Sequence, residues 1–233
     1  MTKGALRERI WDELEERGEA RFPYPPHGRI PNFAGAREAA GRLAETDIFQ
    51  DADAIKSNPD SPQLPVRRAA LRQGTNVYMA VPRLRETECF FRLDPDTIDD
   101  LDHAATIGGS ADVGVQITPE TMEPIDVIVS GSVVVNRQGS RVGKGEGYSD
   151  LEFAILREFG LVDDDTTTVT TVHELQVVEE AIPTTDLDVP MDLIVTPERT
   201  IRTDTTGTKP SGIAWEALDE ERLEEIPILQ RLE

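Results

Sequence analysis

The segment richest in chemistry is Arg141-Val-Gly-Lys-Gly-Glu-Gly-Tyr-Ser-Asp150. Glycines at alternate positions 143, 145 and 147 lie between an apolar β run and an amphipathic helical pattern. Glycine admits φ > 0 and lets backbone N–H groups close on an anion. The helix start adds unpaired donors and partial positive charge, and Arg141 and Lys144 add full charges. In physical terms this is a phosphate cradle, with a plain tight turn as the competing reading. It matches neither G-x-x-x-x-G-K-[ST] nor the dinucleotide G-x-G-x-x-G. Taken alone, Asp150 reads as a helix-start carboxylate favoured by the dipole, and Asp188, before Val-Pro, as a turn former. Lys3 and Arg7 share one face of an N-terminal helix and serve equally well to solvate it. His27, His103 and His173 show no metal-ligand spacing, and His173-Glu174 lacks the second histidine of a zincin.

The elements that must position these residues follow from periodicity. Leu6, Ile10 and Leu14 predict an amphipathic helix over 3–17, stopped by Gly18. The Pro-rich stretch 21–31 predicts an extended surface crossing. A second helix is expected from about Gly35 to Glu45, then a strand over 52–57, a helix over 64–73, and strands over 76–81 and 89–93. Ile125-Asp-Val-Ile-Val129 reads as a buried strand that Val133–Val135 continues after a Gly-Ser break. A helix over 148–159 places Leu151, Ala154, Ile155 and Phe159 on one face, and strands follow over 166–172 and 193–196. Such alternation predicts an α/β fold with a largely parallel sheet. From Thr203 a polar linker leads to a charged helical stretch, 215–225. The closing residues 226–232 read as a strap docked on the main domain or as a dimer contact. The expected division is a domain over 1–203 and an extension over 204–233.

Composition bounds the function. Forty-five acidic residues against 24 basic ones leave a net charge of −21, and only Lys3, Lys56, Lys144 and Lys209 are lysines. That balance argues against nucleic acid as a partner. Acidic excess with scarce lysine points to a salt-adapted cytoplasm, where screening relieves self-repulsion. A single cysteine, Cys89, excludes a disulfide framework or a thiolate metal cluster. No apolar run approaches the ~20 residues of a membrane span, and the chain opens with a charged helix rather than a leader. A cytoplasmic protein with no membrane partner is the expectation.

The glycine segment resembles the G-x-G-x-G-Y-Y-D-R signature of the 5-formyltetrahydrofolate cyclo-ligases. Further similarities fall in order: Lys3-Gly-Ala-Leu-Arg7 resembles the family's K-x-x-L-R helix, and Val81-Pro-Arg83 its proline-terminated strand. Ile125–Val129 resembles the strand leading to the glycine loop, and Asp188–Pro197 the closing D-V-P-[VM]-D-x-[IV]-[IV]-T-P. Gly28–Phe33, Ile55–Asp60, Pro82–Arg85 and Gly143–Gly147 followed by Asp-Leu-Glu are closest to the methenyltetrahydrofolate synthetase domain-containing subgroup. The chain departs from the signature at Ser149, Leu151 and Leu187, where the family carries Tyr, Arg and His.

The resemblance implies a three-layer, Rossmann-like fold similar to the ribose-phosphate isomerase and CoA-transferase group. It implies ATP and Mg²⁺, with a reduced folate as substrate. In the implied reaction the formyl oxygen of 5-formyltetrahydrofolate attacks the γ-phosphate, nitrogen 10 closes the ring, and phosphate leaves to give 5,10-methenyltetrahydrofolate. Lys144 and Arg141 would act on the reacting phosphate. Lys3, Arg7, Arg141, Gly143, Lys144, Gly145, Glu146, Gly147 and Tyr148 would hold the nucleotide. Asp150 and Asp188 would ligate Mg²⁺, and Asp60, Gln63, Arg83 and Tyr148 would face the folate. Two other functions stay open: a nucleotide- or folate-binding protein without turnover, and a sugar-phosphate or acyl-transfer enzyme by analogy of fold.

Overall fold

The computed structural model describes residues 1–205 and 207–232. The chain runs α1 (Lys3–Glu16), β1 (Ala20–Arg21), β2 (Asn32–Phe33), α2 (Ala36–Ala44), α3 (Asp47–Gln50), β3 (Ala54–Ser57), α4 (Leu64–Gln73) and β4 (Asn76–Ala80). Next come β5 (Phe90–Leu93), α5 (Leu101–Ala104), α6 (Ile107–Val113), β6 (Val115–Ile117), β7 (Val127–Val129), β8 (Val134–Asn136) and β9 (Arg141–Val142). The last elements are α7 (Tyr148–Glu158), β10 (Thr167–Thr171), β11 (Val177–Val178), β12 (Leu193–Val195), β13 (Thr200–Arg202), α8 (Glu220–Glu225) and α9 (Pro227–Leu232).

Eight strands form the central sheet in the order β13-β12-β10-β7-β3-β4-β5-β6. The five from β12 to β4 are mutually parallel, while β13, β5 and β6 add antiparallel edges. The α/β expectation with a largely parallel sheet is borne out. Period-2 alternation sorts the two faces. Ile55, Val77, Val127, Val129 and Val169 pack beneath α2 and α4. Ala54, Tyr78, Ala80, Ile128 and Ile194 face α7, whose Leu151, Ala154, Ile155 and Leu156 cover them. Both faces are buried, as parallel strands require. Ile226, Ile228 and Leu229 of the closing segment are buried in the same cluster as α7. Residues 226–232 thus dock on the sheet layer, mostly as helix α9.

Three sequence expectations need correction. Val133–Val135 does not continue the β7 strand. After Gly131 and Ser132 the chain leaves the main sheet, and β8 pairs with β9 and β11 in a separate three-stranded sheet. Helix α1 covers that small sheet, with Leu6, Ile10 and Trp11 against Val133, Val134 and Val142. The Pro-rich stretch is a closed excursion rather than an extended crossing, because β1 and β2 pair at its two ends. Trp11 Nε1 also pins it by donating to the Arg29 carbonyl at 3.1 Å. The charged stretch 215–225 is not one helix: a 3₁₀ turn over Trp215–Ala217 precedes α8, which Asp219 caps.

Candidate functional site

Among the parallel strands, the order reverses at β3, which is followed by β4 on one side and β7 on the other. Open α/β sheets bind ligands at the carboxyl ends of strands at such a point. A cavity of about 690 Å³ lies there, lined by Asn58–Asp60 after β3, Val81–Arg83 after β4 and Gly131 after β7. Lys3 and Arg7 of α1, the glycine loop 143–147 and the first turn of α7 complete its polar side. Met79, Val81, Phe91, Ile107 and Ala111 give it an apolar wall.

The glycine loop hangs between β9 and α7. Gly145 has φ +116° and Gly147 φ +74°, conformations that side-chain-bearing residues rarely adopt. Gly147 is the N-cap of α7 and offers no side-chain cap, so the first-turn N–H groups keep their donors for a ligand. Arg7 Nε donates to the Gly143 carbonyl at 2.6 Å and its guanidinium stacks beside Gly145. Burial lowers the Arg7 pKa. Lys144 pairs with Glu146 at 2.8 Å and stays partly exposed. Arg141 is almost completely buried, donating to Asp150 Oδ1 at 2.6 Å and to the Gly131 carbonyl at 3.3 Å. Its Nε has no hydrogen-bond partner among the described residues. Arg7, Arg141 and Lys144 thus surround a loop whose Gly145 and Gly147 have positive φ, and Lys3 lines the same cavity, an arrangement that suits a polyphosphate.

Asp150 and Asp188 are brought onto one wall, since Asp150 Oδ1 accepts from the Val189 N–H at 3.0 Å. Lys3 Nζ donates to Asp188 Oδ1 at 2.6 Å, and Oδ2 accepts from the Thr185 N–H at 2.7 Å. Burial pushes the Asp188 carboxyl up, but the Lys3 and Thr185 hydrogen bonds outweigh it and hold the pKa below the ordinary value. The turn-forming role of Asp188 is therefore present whatever else it does. Asp150 Oδ2 has no hydrogen-bond partner among the described residues, which also contain no cluster of three His, Cys, Asp or Glu able to cage a metal. The pair suits an ion such as Mg²⁺ that takes one or two carboxylates and completes its shell with phosphates and water.

The remaining sequence candidates separate. Asp60 lines the cavity; burial raises its pKa, with the Lys144 and Arg67 charges opposing. Arg83 stands at the lip in a left-handed conformation, φ +58°. Tyr148 lies on the wall with the Arg222 guanidinium 5.3 Å from its ring centre. Gln63 does not line the cavity. It is fully buried at the foot of α4, and neither amide atom has a hydrogen-bond partner among the described residues.

Several further residues lie under the cavity, outside the set of site residues that the resemblance implies. Lys56 forms a buried ion pair with Glu152, which lines the cavity and also accepts from Asn58 Nδ2 at 3.3 Å. Asn58 Oδ1 accepts from the Gly131 N–H at 3.1 Å and from Ser149 Oγ at 3.2 Å. Arg67 is fully buried and donates to the carbonyls of Asn58 at 2.6 Å and Ala105 at 2.8 Å, and burial lowers its pKa to about 9. One signal was available: a lysine inside the apolar run Ala54-Ile-Lys-Ser57 demands a buried partner. Cys89 is fully buried, and that burial raises its thiol pKa to about 12, an environment unsuited to a nucleophile.

Comparison with known proteins decides the family. The sequence model of the 5-formyltetrahydrofolate cyclo-ligase family matches residues 1–197. The chain belongs to the 5-formyltetrahydrofolate cyclo-ligase family. Methenyltetrahydrofolate synthase domain-containing proteins of Mus musculus and Homo sapiens are 42% and 39% identical to it, and the alignments take in all of this chain. This cyclo-ligase family member spans 63% and 61% of the length of those two relatives. The NMR structure of Aquifex aeolicus 5,10-methenyltetrahydrofolate synthetase shares the fold, with TM-score 0.56 at 19% identity over 88% of this chain and 94% of that one. The resemblance drawn from the glycine segment and its companions is borne out. No helix among the described residues is long and apolar enough to cross a membrane.

Proposed function

We propose that this cyclo-ligase family member converts 5-formyltetrahydrofolate to 5,10-methenyltetrahydrofolate at the expense of ATP. The carrying observation is that the positive-φ glycine loop and the cations Lys3, Arg7, Arg141 and Lys144 line the same cavity as the apolar Met79–Phe91–Ile107 wall. One side suits a triphosphate and the other a flat reduced pterin. Arg141, fixed by Asp150 and Gly131, and Lys144, on the loop, would stabilise charge spreading over the transferred phosphoryl group. Asp60, desolvated beside Gly131, would accept from pterin N–H donors, and Arg83 at the lip would meet the carboxylates of the folate tail. Mg²⁺ neutralises phosphate charge in this chemistry. Asp150 would hold it, with Asp188 contributing through water because both of its oxygens are engaged.

Purified protein given 5-formyltetrahydrofolate, ATP and MgCl₂ in molar KCl is expected to show growth of methenyltetrahydrofolate absorbance that requires both ATP and Mg²⁺. A second reading is a nucleotide- or folate-binding protein without turnover. It draws on Ser149, whose hydroxyl is bonded to Asn58 and lies 3.3 Å from the Ser130 hydroxyl, and on Leu151, whose side chain packs in the core. Tight binding of ATP and folate with no product would select that reading.

A further inference from the structure

We infer that the segment Pro210–Arg222, beyond the residues matched by the family, builds a purine pocket that completes the nucleotide site. The inference rests on the nucleotide reading above and names the residues that hold the base.

A second cavity of about 220 Å³ lies between this segment and the start of α7. At ~30 Å³ per water it has room for about seven waters, enough for one bicyclic heterocycle. Its walls are mainly apolar, with Leu151, Ala154, Ile213 and Leu218 among them and Ala217 at the edge. Gly147, Asp150 and Asp188 line both cavities, so the second adjoins the phosphate loop across the first turn of α7. That is the relation a nucleoside triphosphate requires: an apolar slot next to an anion cradle, with polar groups at the seam.

Arg222 ties the segment to the loop. Its Nη2 donates to the Glu146 carbonyl, its guanidinium stands over the Tyr148 ring, and it lies beside Gly147. Delocalised and planar, guanidinium suits both a carbonyl contact and a ring face at once. Asp219 caps the helix that carries it, its carboxylate accepting from the Arg222 N–H at 2.8 Å. The extension is therefore fastened where phosphate and base would meet.

The test compares ATP with inorganic tripolyphosphate by calorimetry on the full chain at constant Mg²⁺. The wild-type protein is expected to bind ATP at least roughly tenfold more tightly than tripolyphosphate, a difference the base must supply. Ala217 is exposed, so Ala217→Trp fills the slot without entering the core. It is expected to bring ATP affinity down to that of tripolyphosphate and leave tripolyphosphate within roughly twofold. Leu187 also lines the cavity and is exposed, so Leu187→Trp fills the same slot and replaces Ala217→Trp should that variant fail to fold. Unchanged ATP affinity in a folded variant overturns the pocket. Equal losses for both ligands overturn it too, since they indicate damage to the loop. A wild-type protein that binds ATP no better than tripolyphosphate also overturns it while leaving the phosphate cradle standing. A wild-type protein that binds neither refutes the nucleotide reading itself.

Discussion

Replacing Lys56 with methionine probes the ion pair beneath the cavity. Lys56 and Glu152 have side chains 1% and 6% exposed, and Lys56 projects from β3 to the α7 face of the sheet. Methionine keeps the length and apolar stem but strips Glu152 of its counter-charge, leaving one contact from Asn58 Nδ2. Orphaning one partner of a buried pair costs about 3–5 kcal/mol. For a chain of this size 1 kcal/mol moves the melting temperature by about 2–4 °C, so a fall of roughly 6–20 °C is expected at neutral pH. Lys56→Met/Glu152→Met removes both charges and should recover most of the loss, because a well-packed apolar pair often matches a buried ion pair. Circular-dichroism melts of the two variants at neutral pH decide it. A Lys56→Met protein melting within roughly 2 °C of wild type would refute the reasoning, since that corresponds to about 1 kcal/mol or less, well below the cost of stranding a buried charge.

Four further outcomes are expected. Because burial raises the Asp60 pKa above its ordinary 3.8, the native state binds the proton more tightly than the unfolded chain, and stability falls as pH rises through that window. Asp60→Asn should therefore melt higher than wild type at neutral pH while weakening folate binding; melts and a folate titration check both. The Asp188 pKa is lowered, so its stabilisation is present above the ordinary value and lost as acid carries the pH through the folded value. Lys3→Met, which removes the 2.6 Å bond, should shift acid unfolding to higher pH in a fluorescence titration. Lys144→Ala should weaken ATP binding in calorimetry while lowering the melt by only a few degrees, because Lys144 is partly exposed, its ion pair among the described residues is with the neighbouring loop residue Glu146, and its charge acts on Asp60 without a direct bond. Lowering KCl from molar to ~0.1 M lengthens the Debye length from ~3 to ~10 Å. With a net charge of −21 the melting temperature should fall, and an unchanged melt would remove the salt-adapted reading.

What was legible in the sequence was local. Leu6, Ile10 and Leu14 mark α1 because their spacing directly fixes a buried face, and all three lie in one cluster. The glycine loop declared itself through composition, since glycine takes φ +116° and +74° without the strain a side chain brings. Nonlocal pairing was hidden. Nothing in Val133–Val135 announces that it belongs to a different sheet from Val127–Val129, because both are buried apolar runs and the partner strand decides. The Lys56–Glu152 pair joins residues 96 apart, and Arg222 reaches Glu146 across 76. Asp150 and Asp188 read as local capping and turn residues in sequence; in the fold they share a wall, each already facing a cation.

The most direct measurement follows the formyl oxygen. The protein is supplied with ATP, Mg²⁺ and 5-formyltetrahydrofolate carrying ¹⁸O in the formyl group, and the released phosphate is analysed by mass spectrometry as the methenyl product accumulates. If that oxygen attacks the γ-phosphate in this cavity, each released phosphate carries one ¹⁸O, in step with each ring closed. Unlabelled phosphate, or methenyl product formed without phosphate release, would contradict the account.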